Sequence, residues 1–394
     1  MATSRALVVG RLSRYYPGDN PASTHEGEAM EHEEVRMSWK DLHRFVTEIC
    51  VRVGMTASDA ACEADALLWA NLRGVDSHGV LRLPWYLDNV ERGIMNPTPD
   101  IRTVMETEAT ALIEADRAFG PVVTTPAVDL AVRKAHHAGI GWVLIRNHTH
   151  QGALGYYVEK IMEKNMAGLA IACARPNMVP FGAKAAGLNN SPLAICVPAG
   201  RHAPLLLDMA TSVVALGKVM VAANKGEPIP EGWAVDEEGQ ATTDPSKAEA
   251  LVPLGGAKGS GMALLFECLA SIMAGNALVQ PILSTASRRG AEQQSDQGRQ
   301  VGHIASHNQN SIVAAMHISQ FMDLEEYKSQ VDDLIDSIKN LPRANGFAEI
   351  LVPGERKERC YAERIKSGIP LATQTLGSLR AAAERLDVPL PDSM

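Results

Sequence analysis

Between residues 111 and 210, short apolar runs alternate with amphipathic segments, and this alternation constrains the fold more than any other feature of the chain. ALIEAD (111–116), WVLIRN (142–147), LAIACA (169–174), LAICVP (193–198) and LLLDMA (205–210) each have a strand's length and polar or glycine borders. Between the first two, PAVDLAVRKAHHAGI reads as a helix closing at Gly139; ALGYYVEKIMEKNMAG reads as another. Strands separated by helices predict an α/β domain over about residues 110–355. The chain ends differ in kind. Leu42, Phe45, Val46, Ile49 and Val53 recur at helical steps after Ser38, a candidate N-cap. A second helix is expected from Ser58 through Ala70, and a third in LRLPWYLDNVERG, ending at Gly93, so three helices should precede any strand. EEYKSQVDDLIDSIKNL and TLGSLRAAAERLDV make the tail helical, expected to pack beside the N-terminal helices.

The length, 394 residues, suits about two or three domains, and 46% apolar against 21% charged residues excludes wholesale disorder. A net charge of −9 argues against a nucleic-acid partner. The six cysteines are dispersed without a C-x-x-C pair, which fits neither a disulfide framework nor a zinc knuckle and points to a reducing, cytoplasmic setting. Residues 1–35 read as a polar extension without a secretory apolar core, and residues 284–309 as a polar surface insert. Gly261–Leu283 is long and apolar enough to test as a membrane span. Gly275, Asn276, Gln280 and Pro281 shorten its helical part to about 15 residues, which suits a helix buried in a large domain rather than a membrane partner.

No strand is followed by G-x-G-x-x-G, so a Rossmann domain has no support. GGAKGSG (255–261) is not a P-loop, because Lys258 precedes the last Gly-Ser-Gly. It reads either as an anion site at a helix N-terminus or as a tight turn with a solvated lysine. Asp208 ends an apolar run at a strand's C-terminal end, where it either faces a ligand crevice or joins Thr211 and Ser212 in capping the next helix. Ser77, His78 and Arg82 lie within six residues, either as a polar loop or as a carboxylate-binding arginine beside a titratable imidazole. His148 and His150 follow a strand. A metal pair there would lack further ligands, so general base is the favoured role, and no metal site is expected. His303 and His307 form an i, i+4 pair within the polar insert.

Seven segments in one order, SHGVLR, HQGALGYY, VPFG with NNSP, DMATSVVALGKV, IPEGWAVDEEGQATTDP, PLGGAKGSG and VPGER, resemble the malate/L-lactate dehydrogenase family of the second type over about residues 36–394. HQGALGYY and WAVD-x-x-G-x-x-TTDP lean toward its ureidoglycolate dehydrogenase branch. The resemblance implies an α/β fold. It has a non-Rossmann mixed-sheet NAD(P)-binding domain (111–355) and a helical domain from both chain ends (36–110 and 356–394), assembled as a homodimer. It implies hydride transfer between NAD or NADP and a small 2-hydroxy or 2-keto carboxylic acid. The alternatives are imino- or keto-acid reduction, or nucleotide binding without catalysis. By that resemblance His150 is the proton acceptor, with His78 in that role in some branches. Ser77 and Arg82 contact substrate, and Ala174, Asp208, Met209, Ala210, Lys258, Gly259 and Gly354 contact the cofactor. The chain departs from the family pattern at Asn189-Asn190-Ser191-Pro192, where G-T-N-P is usual. It departs again at Thr149-His150-Gln151-Gly152, where S-x-H-F-G is usual, and at Ser260, where Tyr is common. Arg175 stands where the ureidoglycolate branch has an acid near the adenosine ribose. A cation there suits a 2′-phosphate and tilts the expectation to NADP.

Overall fold

The computed structural model describes residues 35–288, 308–392 and 394. Its centre is a seven-stranded sheet. In chain order its strands are Arg102–Glu106 (β2), Thr110–Glu114 (β3), Ile140–His148 (β4), Ala167–Cys173 (β5), Leu193–Val197 (β6), Leu205–Met209 (β7) and Gln309–Met316 (β11). They lie side by side as β2-β3-β4-β11-β5-β6-β7. Only β3 and β4 pair in parallel; every other neighbouring pair is antiparallel. β3, β4, β5 and β7 therefore run the same way, and their C-terminal ends share one edge.

Both faces of this sheet are covered, which is why its strands read as continuous apolar runs. Val143 and Ile145 of β4 face a core completed by helices Gly120–Ala138 (α4) and Gly155–Met162 (α5). Leu144 faces the other way, onto Ala270, Ala274 and Leu278. A further core joins the two chain ends. Helices Trp39–Arg52 (α1), Ala57–Leu72 (α2) and Leu83–Glu91 (α3) share it with Ile369–Leu371 (β12) and Thr373–Leu386 (α11). Three two-residue strands, Ala234–Val235 (β8), Ala241–Thr242 (β9) and Ala250–Leu251 (β10), make a small separate sheet. The remaining helices are Leu216–Lys225 (α6), Ala257–Phe266 (α7), Val279–Arg288 (α8), Leu324–Lys339 (α9) and Glu355–Ser367 (α10).

Several expectations are corrected. A strand does precede the helices: Val35–Met37 (β1) pairs antiparallel with β12, more than 330 residues away, and three residues carry no periodic signal. β2 precedes the predicted first strand; all of its residues are exposed, so it lacks the alternation that marks a half-buried strand. The central strand β11 went unpredicted beside the polar insert. That insert is shorter than expected, since α8 runs to Arg288 and β11 begins at Gln309. His303 and His307, and residues 1–34, lie outside the described residues. α2 starts at Ala57, one residue before the expected Ser58, and Thr56 caps it, its hydroxyl accepting from the Asp59 amide at 3.2 Å. Thr211 and Ser212 cap no helix, because α6 starts only at Leu216. The apolar segment after Gly261 forms α7 and a π-helical continuation through Ile272, buried on one face only: Ala263, Ala270 and Ala274 sit in the core, while Leu264, Leu265, Ile272 and Met273 are each more than half exposed. No helix among the described residues is long and apolar enough to cross a membrane.

Candidate active site

The site forms where the helical layer meets the shared strand edge. After α2, the chain makes two short 3-10 turns, Asp76–His78 and Val80–Arg82, before α3. Asn71 at the end of α2 fixes them: its Oδ1 accepts from the Val80 amide at 2.8 Å and its Nδ2 donates to Asp76 Oδ1 at 2.7 Å. This turn aims Ser77, His78 and Arg82 at the edge where β4 ends in His148 and continues to His150. α4 begins against that continuation. A Cβ on Gly120 would come within 2.4 Å of Gln151 Cα and 2.5 Å of the His150 carbonyl oxygen, so only glycine permits the approach.

His78 and His150 stack nearly parallel, with ring centroids 5.5 Å apart and an interplanar angle of 20°. His150 Nδ1 lies 2.7 Å from the Tyr86 hydroxyl and 3.3 Å from the Gly152 amide nitrogen. Tyr86 is fully buried, and its ring packs edge-on against Phe119. His78 Nδ1 lies 3.0 Å from Ser77 Oγ. Arg82 Nε donates to the Ser77 carbonyl at 2.7 Å, leaving both terminal nitrogens for a ligand; among the described residues no carboxylate pairs with it. Burial, with the Arg82 guanidinium alongside, pushes His78 down to about 4 and His150 well below the usual imidazole range. Both rings are therefore neutral bases at neutral pH. Burial, with the Glu63 carboxyl nearby, lifts Tyr86 well above the usual phenol range, so its hydroxyl keeps its proton.

Asp208, the next-to-last residue of β7, lies beside these rings and draws the His78 pKa upward, against the burial. One of its oxygens accepts from the Gly155 amide at 3.0 Å, at the start of α5, and lies 3.6 Å from Lys357 Nζ. Beyond it, Met209 and Ala210 lead to Thr211, whose amide donates to the Asn190 carbonyl at 2.9 Å and whose carbonyl accepts from the Leu254 amide at 2.8 Å. That ladder brings the Gly255–Gly261 turn to the same edge. Gly259 packs so closely on the Thr211 carbonyl oxygen that a Cβ there would lie 2.4 Å from it. Lys258 stands exposed in the first turn of α7. Ala174 follows β5 on this edge, next to Arg175, whose carbonyl accepts from Asn189 Nδ2 at 2.9 Å.

The structure thus gathers Ser77, His78, Arg82, His150 and Asp208, and places Ala174, Met209, Ala210, Lys258 and Gly259 along the same edge. Gly354 is apart: it packs on Pro204 and Leu206 at the start of β7, and Lys357, not Gly354, reaches Asp208. His148 is sealed off, its Nδ1 donating to the Thr149 carbonyl at 2.7 Å, and burial pushes it down to about 4. Tyr86, Lys357 and Asp76 escaped the sequence reading. Tyr86 was findable, since it lies four residues after Arg82 and so on the same face of the helix.

The residues fit a nicotinamide dinucleotide. Two glycines with positive φ, Gly255 and Gly256, precede the N-terminus of α7 and Lys258, which suits a phosphate. Thr211 Oγ1, on the same edge, is buried without a hydrogen-bond partner.

Comparison with known proteins agrees with this geometry. The family described as malate/L-lactate dehydrogenase matches residues 37–380. The L-sulfolactate dehydrogenase of Methanocaldococcus jannaschii is 37% identical over 351 residues, covering 89% of this chain and 96% of the relative. A solved malate dehydrogenase from Entamoeba histolytica superposes with a TM-score of 0.83 at 25% identity, over 91% of this chain and 100% of that one. The ureidoglycolate dehydrogenase (NAD(+)) of Escherichia coli K12 is 27% identical, over 86% of this chain and 93% of the relative. A family match over most of the chain, joined to a relative of such identity, settles the lineage: this chain belongs to the malate/L-lactate dehydrogenase family.

Proposed function

We propose that this dehydrogenase interconverts a small 2-hydroxy carboxylic acid and its 2-keto acid, with malate, sulfolactate and lactate as the substrate class. The observation that carries the reading is the stacked His78–His150 pair beside an Arg82 that no carboxylate among the described residues pairs, at the strand edge that holds Asp208. The two free guanidinium nitrogens of Arg82 suit a bidentate grip on the substrate carboxylate. His150 takes the hydroxyl proton at Nε2, because Tyr86 and Gly152 occupy the Nδ1 side. Nε2 is free to accept only when the neutral ring carries its hydrogen at Nδ1, so Nδ1 donates to the Tyr86 hydroxyl, and that bond holds the ring while Nε2 gains and loses its proton. A bound nicotinamide cofactor supplies the hydride chemistry. Asp208, Met209, Ala210, Ala174, Lys258 and Gly259 would hold it along the edge.

Arg175 is exposed directly after Ala174, which supports a preference for NADP over NAD. The exposed apolar side chains of α7 and its continuation, Leu264, Leu265, Leu269, Ile272 and Met273, support burial against a second copy in a homodimer. The test is a fluorescence titration with NADH and NADPH followed by an absorbance screen of 2-keto acids. Tight binding of one cofactor with turnover of a keto acid supports the reading, and absence of binding to both overturns it. Sedimentation analysis gives the copy number.

A further inference from the structure

α10 buries none of its residues fully; Tyr361 and Ile365 pack partly buried against the core that joins the chain ends, and contacts between charges and aromatic faces complete its seat. The side chains that reach inward are Lys357, Glu358, Tyr361 and Arg364, spaced i, i+1, i+4 and i+7 on one helical face. Lys357 reaches Asp208 at 3.6 Å. Glu358 accepts from Arg73 at 3.4 Å, and the Tyr361 ring covers the same guanidinium at 4.6 Å. Arg364 Nη1 and Nη2 donate to the two carboxylate oxygens of Asp76 at 2.7 and 3.1 Å, and Nη1 also donates to the Asn71 carbonyl at 2.5 Å.

Asp76 immediately precedes Ser77 and His78 in their 3-10 turn, and the Asn71 side chain grips the same carboxylate. The Arg364 side chain is 13% exposed, so water competes little for its end of the pair. A two-pronged bond of this kind fixes direction as well as distance.

We propose that Arg364 is a positioning residue for substrate binding, holding through Asp76 the turn that carries Ser77 and His78, from the same helix whose first turn holds Asp208. This rests on the reading of Ser77 and His78 as substrate-side residues. One helix then braces the substrate turn and the cofactor strand together.

The test compares wild type with Arg364→Met, Arg364→Lys and Asp76→Asn. Steady-state kinetics, the NADH or NADPH dissociation constant, the melting temperature and the His78 imidazole NMR signal are all measured. The expected result is a substrate KM raised by roughly 10-fold to 100-fold in Arg364→Met and Asp76→Asn, with a shifted His78 signal and a cofactor dissociation constant within about twofold of wild type. Arg364→Lys recovers only part of the loss, because one ammonium cannot span both carboxylate oxygens. An unchanged KM with an unmoved His78 signal overturns the proposal. So does a parallel loss of cofactor affinity and melting temperature, which marks a general structural role. A wild type that turns over no hydroxy or keto acid overturns the functional reading instead, and the His78 signal still decides the brace.

Discussion

Tyr86 and His150 are joined by a 2.7 Å hydrogen bond between the phenol hydroxyl and Nδ1, across the seam between the helical layer and the sheet edge. The phenol belongs to α3 and to the core that unites the two chain ends; the imidazole belongs to the turn after β4. The orientation of the His150 ring is thus set by a residue from the other layer.

Removing that hydroxyl should slow turnover without disturbing the fold. Tyr86→Phe keeps the ring packed against Phe119 and deletes only the bond to a ring that becomes charged, worth roughly 1.5–3 kcal/mol. The expected outcome is kcat lower by about 10-fold to 100-fold with unchanged NADH affinity. His150→Ala should cost about 10²- to 10⁴-fold while the cofactor still binds. Stopped-flow single turnovers check both; wild-type rates in Tyr86→Phe would remove the phenol from the mechanism.

The oxidation reaction should tolerate acid. Its base must be neutral, and burial holds His78 near 4 and His150 well below the ordinary range. The profile of kcat/KM against pH should stay level through pH 6 and bend only toward pH 4, whereas the reverse reaction, which needs the ring protonated, should fade as pH rises. An inflection between pH 6 and 7 in the oxidation profile would show that these rings are not the titrating groups.

Glu63 is fully buried on α2, neither of its oxygens has a hydrogen-bond partner, and burial lifts its pKa to about 8. The folded pKa exceeds the unfolded value, so the contribution to stability is complete below about pH 4.5 and is lost as pH rises through about 8. Across that window the loss is on the order of 5 kcal/mol. Glu63→Gln cannot ionise. The stability of the variant relative to wild type should therefore climb steadily between pH 4.5 and 8, as measured by chemical denaturation. A pH-independent difference would mean that the carboxyl is hydrated in solution.

Gly217 near the start of α6 is expected to trade stability against substrate affinity. A Cβ there would lie 3.3 Å from Ser77 Cβ and 3.7 Å from an Arg82 terminal nitrogen. Gly217→Ala should stabilise the helix by about 0.5–1 kcal/mol and raise substrate KM several-fold, with Gly217→Val worse. Thermal melts read alongside KM decide it, since loss of both together would point to a packing role instead.

Local chemistry made much of this legible. The strands β3 to β7, the helix stop at Gly139 and the apolar stripe of α1 follow from apolar spacing and glycine placement. α10 did not, because its sequence ERKERCYAERIKS is charged nearly all round and offers no stripe to read. β1 and β2 failed for the opposite reason, one being three residues long and the other wholly exposed. The exposed face of the segment after Gly261 was not legible, because apolar side chains look the same in sequence whether they face a core or an open surface.

The sequence by itself determined strands β3 to β7 and the N-terminal helices, the absence of a dinucleotide fingerprint, and the residue types His78, Arg82, His150 and Asp208, because spacing and side-chain chemistry are local properties. Only the tertiary structure decided that the two imidazoles stack, that Tyr86 holds one of them and that Arg364 reaches back 288 residues to Asp76. The first two pairings arise where the N-terminal helices meet the turn after β4, and the third where α10 closes onto the end of α2. A contact between distant parts of a chain leaves no period in either part.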